Sequence, residues 1–296
     1  NEEAQTLGFV VSNSNGSLFT TAGQPAIDAS GRLTYTPAKD QYGSATVTVA
    51  LKDNGGTDRG GDDQSDSVTF TITVLPVNDQ PTFTDRGNFA VNEVSGTYGA
   101  PWANTASVFV GPGNEAQAHT FTVTGVTVTS LAGSASLFAV EPAIDPLTGA
   151  VSFTPQANAN GTATVTVTLR DTDGVDNGGV DTSAVHAFTI TVNAVDDPPT
   201  FTSGAAVTVY EDGGTYSQPF ATGITTGGGT DEASQTLTFT IAGYNAGLFG
   251  VQPSLSSAGT LSFSPAADMN GATTATVTLS DGTNSVTGPL QITILP

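Results

Sequence analysis

Carboxylates carry most of the chemistry this sequence could do. Asp and Glu number 27 against 6 Lys and Arg, which gives a formal charge of −21 over 296 residues and a pI near 4.1. The acids recur at matched points. VNDQPTFT from Val77 returns as VDDPPTFT from Val195, so Asn78 and Asp79 correspond to Asp196 and Asp197. NEEAQT from Asn1, NEAQAH from Asn114 and DEASQT from Asp231 also align, placing Glu3, Glu115 and Glu232 at equivalent positions. A further Asp closes each of TPAKDQYGSATVTVALKD, TPQANANGTATVTVTLRD and SPAADMNGATTATVTLSD, at Asp53, Asp171 and Asp281. Two carboxylates about 4 Å apart repel by ~1 kcal/mol in water and ~4 kcal/mol at an effective dielectric of 20. Acids crowded beside short linkers therefore need a cation to sit still. Ca2+ suits them, because it takes roughly six to eight oxygen ligands from carboxylates, carbonyls and water and asks for no Cys or His.

The same composition closes other routes. Cysteine is absent, so disulfides, thiol catalysis and thiolate zinc sites are excluded together. Nucleic acid and anionic membrane surfaces are poor partners, since both are bound through clustered Lys and Arg. No apolar run approaches the roughly 20 residues of a membrane helix. His119 and His186 have no His or Cys at ligand spacing, and no Ser-centred elbow, phosphate loop or metalloprotease motif is present, so no enzyme is expected. Trp102 is expected to pack within the second strand of its repeat, the alternative being an exposed ring that stacks on a sugar.

Three copies of one unit position the acids. The expected boundaries are 1–79, 80–196 and 197–296, with the first copy lacking its first two strands. In the second copy NFAVNEV, WANTASVFV, HTFTVTGVTV, LFAVEPAI, GAVSFTP, TATVTVTLRD and HAFTITVNAV each read as a strand bounded by Gly, Pro, Asn or Asp. Thr alternating with Val gives one wet face and one packed face. The expected fold is all-β: tandem seven-stranded Greek-key β-sandwiches strung head to tail as a rod, with essentially no α-helix. The linkers at 76–81 and 194–199 are short and bounded by Pro, hence extended and semi-rigid. Unmatched acids near both ends (Glu2, Glu3 and Asp53; Glu211, Asp212 and Asp268) lead us to expect that the polypeptide continues in both directions.

The linker VNDQP, the Glu of the first strand, the Asp closing the sixth strand and the acidic pair before the third strand together resemble a cadherin-type repeat. The chain is similar over its whole length to the cadherin-like tandem repeats of large bacterial surface and secreted proteins of adhesin type. That resemblance implies calcium at each junction. For the first junction it implies Asn78, Asp79, Asn114, Glu115 and Asp171, with Asp40 from the bottom of the first copy. For the second it implies Asp196, Asp197, Asp231, Glu232 and Asp281, with Glu93 from the first strand of the second copy. The loop before the sixth strand of the second copy, 156–160, carries no carboxylate, which lowers the expected ion count to one or two per junction. A second acidic cluster (Asp58, Asp62 and Asp63; Asp173, Asp176 and Asp181) sits in the Gly-rich loop between the last two strands and reads as a flexible hairpin. The implied function is a structural extender of a long extracellular, calcium-rigidified protein, whose partners are adjacent repeats of the same polypeptide and neighbouring copies in a filament. The alternative is an adhesion module that binds carbohydrate or protein through sandwich loops, with the insertion VTVTSLAGSAS before Leu137 as its candidate loop.

Overall fold

The computed structural model describes residues 5–113 and 117–296. They form two compact units, one drawn from 5–84, 105–113, 117–120 and 169–184, the other from 85–104, 121–168 and 185–296. Strands account for the regular structure of both. Among the described residues the helical segments are three-residue 3-10 turns, and no helix is long and apolar enough to cross a membrane.

In the first unit an antiparallel sheet runs in the order Gly8–Asn13, Gly43–Lys52, Val68–Val74. The alternation in Gly43–Lys52 decides its faces. Ala45, Val47 and Val49 are 0 to 6% exposed, whereas Ser44 and Thr46 face solvent. Leu18, Phe19 and Ile72 complete this core, and Ile27 and Leu33 of the short pair Ala26–Ile27 and Leu33–Thr34 pack against it.

The second unit shows the sandwich in full. A four-stranded sheet in the order Val207–Tyr210, Ser285–Leu295, Gly271–Ser280, Thr238–Ala242 accompanies a three-stranded sheet in the order Tyr216–Pro219, Thr260–Pro265, Phe249–Leu255. Leu261, Phe263, Val277, Leu290, Ile292 and Ile294 fill its core at 0 to 2% exposure. Each such side chain contributes about 1.5–3 kcal/mol on burial. The pattern recurs upstream, with one sheet in the order His119–Ala132, Asn160–Asp171, His186–Asn193, Phe89–Asn92 and another in the order Phe138–Ile144, Ala150–Pro155, Tyr98–Pro101. In both sandwiches the second strand of the repeat lies parallel to the closing one, Phe89 opposite Ile190 and Val207 opposite Ile292.

Two strands of the second copy lie outside the seven expected, Thr82–Asp85 and Tyr98–Pro101. Thr82–Asp85 pairs with Ala103–Phe109, while Phe89–Asn92 joins the other sheet, and Gly87 at φ 82° makes the step between them. Tyr98–Pro101 and Ala103–Phe109 likewise divide at Trp102. The Trp102 ring is fully buried 4.6 Å from Phe188, and its indole N–H donates to the Gly87 carbonyl at 3.1 Å. That burial removes it as a sugar platform. The turn before the sixth strand puts Asp40, Asn158 and Asp268 at φ 57° to 60°, a left-handed conformation that Asn and Asp tolerate.

Candidate functional site

At the first linker a neutral amide sits at the centre. Asn78 is buried, and its side-chain NH2 donates to Asp171 Oδ1 at 2.8 Å, to the Gly174 carbonyl at 3.0 Å and to the Val180 carbonyl at 3.2 Å. Its Oδ1 accepts from Gln117 Nε2 at 2.9 Å. The loop 172–180 wraps the linker: the Val180 amide donates to the Asn78 carbonyl, Asn177 Nδ2 donates to the Pro76 carbonyl, and a Cβ on Gly179 would stand 2.9 Å from Asn78 Cβ. The loop expected to be a flexible hairpin thus makes direct hydrogen bonds to the linker. Its Asp181 is neutralised locally, since Arg170 approaches Oδ2 at 2.7 Å. The hydroxyl of Thr182, followed by Arg170, holds the Asp181 carboxyl below the usual carboxylate range.

Asp171 is 4% exposed. Its Oδ2 is buried without a hydrogen-bond partner, and burial pushes the carboxyl above its usual range against the opposing Asn78 hydrogen bond. Asp79 and Asp40 line one hollow together with Pro76 and Tyr42, and Asp40 lies 3.2 Å from the exposed Lys39 ammonium. Asn114 and Glu115 fall outside the described residues.

The second linker carries charge where the first carries an amide. Asp196 replaces Asn78, accepting from Gln235 Nε2 at 2.5 Å and from Asn284 Nδ2 at 2.7 Å. Glu232 is 6% exposed and takes the Asp197 amide on Oε1 and the Gly228 amide on Oε2, both at 2.7 Å. Asp281 Oδ1 accepts the Thr283 and Asn284 amides at 2.7 and 2.6 Å. Asp231 Oδ2 accepts from Asn160 Nδ2 at 2.7 Å. Glu93, 3% exposed, takes the Val195 amide on Oε1 at 2.7 Å. Burial, reinforced by the negative charges of Asp231, Asp197 and Glu232, pushes its carboxyl up despite that hydrogen bond. The six acids expected here are therefore gathered around one linker.

Their second oxygens are unsatisfied. Glu93 Oε2, Asp197 Oδ2, Asp231 Oδ1 and Asp281 Oδ2 are all buried without hydrogen-bond partners. A buried orphan oxygen on a charged group is costly, and an all-carboxylate set suits a hard cation. The donor chemistry thus fits Ca2+, although among the described residues no three His, Cys, Asp or Glu side chains already converge as a metal-holding group. Glu93, Asp197, Asp231, Glu232 and Asp281 are the side chains that would hold the ion. Bound there, it would supply the positive charge that these carboxylates lack.

Three partners escaped sequence reasoning: Gln117, an amide that donates to Asn78, and Gln235 and Asn284, amides that donate to Asp196. The Gln that follows the Glu of each Asn/Asp-Glu motif, as in NEAQ and DEASQ, was the available signal for the two glutamines. The insertion proposed as a recognition loop is also engaged. The Gly133 carbonyl accepts the Thr230 amide at 3.4 Å, and a Cβ on Gly229 would run into that same carbonyl.

No family model matches the chain, and no curated protein matches it. Solved structures similar to it include Drosophila N-cadherin EC1-4, at 13% identity and TM-score 0.37, covering 100% of this chain and 68% of that one. Protocadherin Gamma B2 extracellular cadherin domains 1-5 align at 14% identity and TM-score 0.47, covering 98% of this chain and 53% of that one. Endo-fucoidan hydrolase MfFcnA4 from glycoside hydrolase family 107 aligns at 16% identity and TM-score 0.28, covering 97% of this chain and 38% of that one.

Proposed function

We propose that this chain is a structural extender: a segment of a long extracellular protein of bacterial surface or secreted type, built from repeats at 1–79, 80–196 and 197–296 and stiffened by Ca2+. The observation that carries this reading is the set of buried, unpartnered carboxylate oxygens on Glu93, Asp197, Asp231 and Asp281 around one linker. The ligand sets are Asp40, Asn78, Asp79, Asn114, Glu115 and Asp171 at the first linker, and Glu93, Asp196, Asp197, Asp231, Glu232 and Asp281 at the second. An empty second linker leaves like charges facing one another, so the repeats splay; cation binding offsets that repulsion and fixes their orientation. Extracellular modules bind Ca2+ with Kd of about 10⁻⁴ to 10⁻³ M, so the sites fill outside cells. The functional partners are adjacent repeats of the same polypeptide and neighbouring copies in a filament.

Small-angle scattering with millimolar Ca2+ and then with excess chelator tests the proposal. The maximum dimension is expected to fall and the profile to broaden on chelation. An unchanged profile, with no Ca2+ binding by calorimetry, would defeat it. Recognition of carbohydrate or protein by the 126–136 loop is the weaker reading, because that loop's Gly133 carbonyl already holds Thr230.

A further inference from the structure

Two departures from the repeat pattern meet at the second linker. One is the insertion of the second repeat: Leu137 follows Phe121 by 16 positions, whereas Leu18 follows Phe9 by 9 and Leu248 follows Phe239 by 9. The other lies just before the acidic pair of the third repeat, where Gly228, Gly229 and Thr230 precede Asp231. In the second repeat Gly111, Pro112 and Gly113 precede Asn114, so Pro112 stands in the place of Gly229.

No methyl group fits along the glycine run. A Cβ on Gly228 would run into the Glu232 carboxylate, and one on Gly229 into the Gly133 carbonyl, with the Asn158 carbonyl 2.7 Å away. Gly133 itself sits at φ 83°, and a Cβ there would strike the Asn158 carbonyl and stand 3.0 Å from Asp231 Oδ1. The insertion and the run therefore meet backbone on backbone, closed by the hydrogen bond from the Thr230 amide to the Gly133 carbonyl. A Cβ on Gly113, by contrast, would meet nothing within 4 Å.

This close approach lets an amide of the second repeat reach an acid of the third. Asn160 Nδ2 donates to Asp231 Oδ2 at 2.7 Å, while Asp231 Oδ1 stays buried and unpartnered. Asn160 opens the strand Asn160–Asp171, and its neighbour Gly161 passes where a Cβ would strike the Ser130 carbonyl of the same insertion. A carboxylate at this point would repel Asp231. An amide instead donates to one oxygen and leaves the other as an acceptor.

We propose that Asn160 and the Gly133–Gly229 contact are positioning elements of the cation site at the second linker. The insertion is a buttress: it brings the two backbones together, Asn160 occupies Asp231 Oδ2, and Oδ1 is left for the ion before the ion arrives. Groups that orient ligands in this way set metal affinity nearly as strongly as the ligands do, because a ligand already in place has less ordering left to lose on binding. The inference rests on the calcium reading of this linker and adds the residues outside the ligand set that govern its affinity. The first linker, with Pro112 and the shorter loop of the first repeat, has no equivalent buttress.

Hydrogen exchange on the intact chain, stripped with chelator and titrated with CaCl2, reads each linker separately, through 195–197 and 228–233 for the second and 76–79 and 172–180 for the first. Asn160→Ala and Gly229→Ala are each expected to raise the Ca2+ concentration at half-protection of the second linker by about tenfold, with the first linker unchanged. Exchange of 260–265 and 271–280 in chelator is expected to match the parent, which shows that the third repeat is still folded. Asn160→Ala adds no bulk and Gly229→Ala removes no hydrogen-bonding group, so a shared shift isolates positioning from either defect. A parent without Ca2+-dependent protection at the second linker defeats the calcium reading and this inference with it. A protected parent whose two variants keep the parental midpoint, or variants that shift both linkers equally, overturns this inference alone.

Discussion

The two linkers solve one packing problem with different chemistry. Asn78 spends its amide on Asp171, Gly174 and Val180, so the first linker is held by hydrogen bonds from a neutral side chain. Asp196 occupies the matching position at the second, where Glu93, Asp197, Asp231 and Glu232 repel one another and four carboxylate oxygens lack partners. An amide both donates and accepts, whereas a carboxylate only accepts. The Asn-to-Asp difference therefore exchanges a side chain that donates for one that only accepts, and it leaves four orphan carboxylate oxygens at the second linker against the one on Asp171 at the first.

The largest expected effect attacks the first side of this contrast. Asn78→Ala leaves the Asp171 carboxylate and two carbonyls without their donor and is expected to cost about 3 kcal/mol, with or without Ca2+. Chemical unfolding in both conditions measures it, and a loss that Ca2+ repairs would erase the distinction. Next comes the cation itself. At 1 mM Ca2+, a site with Kd near 10⁻⁴ M stabilises by about 1.4 kcal/mol, and Asp197→Asn should remove most of that gain while Asp171→Asn removes less.

Smaller still is Gly179→Ala, which presses a methyl on Asn78 and is expected to cost about 1 kcal/mol by thermal unfolding. A pH titration sharpens the comparison last. Glu93 has a raised carboxyl in the folded state, so it binds its proton more tightly folded than unfolded. Its stabilising contribution is complete below the ordinary value of 4.5 and is lost as pH climbs through the raised one. In chelator, Glu93→Gln should accordingly melt above the parent at neutral pH, with the gap closing toward pH 4.5. In millimolar Ca2+ the order should reverse, because the variant lacks a ligand.

Much of this was legible in the sequence, and for identifiable reasons. Thr-Val alternation in TATVTVTL gave both the strand and its buried face, since a period of two leaves no other consistent packing. The short strands Thr82–Asp85 and Tyr98–Pro101 were not legible, because four residues give too brief a period-two run to stand out from the linker and turn beside them. Glu93 could be placed with Asp196 and Asp197 only through a resemblance; local spacing puts it about a hundred residues from them. Asn284 and Gln235 were missed because amides at turns are common, and their role appears only when a carboxylate faces them. The 126–136 insertion looked like a free recognition loop because length alone cannot reveal that Gly229 lets a backbone approach it.

The parallel pairing of an early strand with the closing one has a mechanical consequence. A pull on the two ends of the third repeat passes through Thr200–Ser203 into Val207–Tyr210 and leaves along Ser285–Leu295, so these two parallel ribbons are loaded lengthwise and in opposite senses. Their rungs must then fail together instead of unzipping one after another.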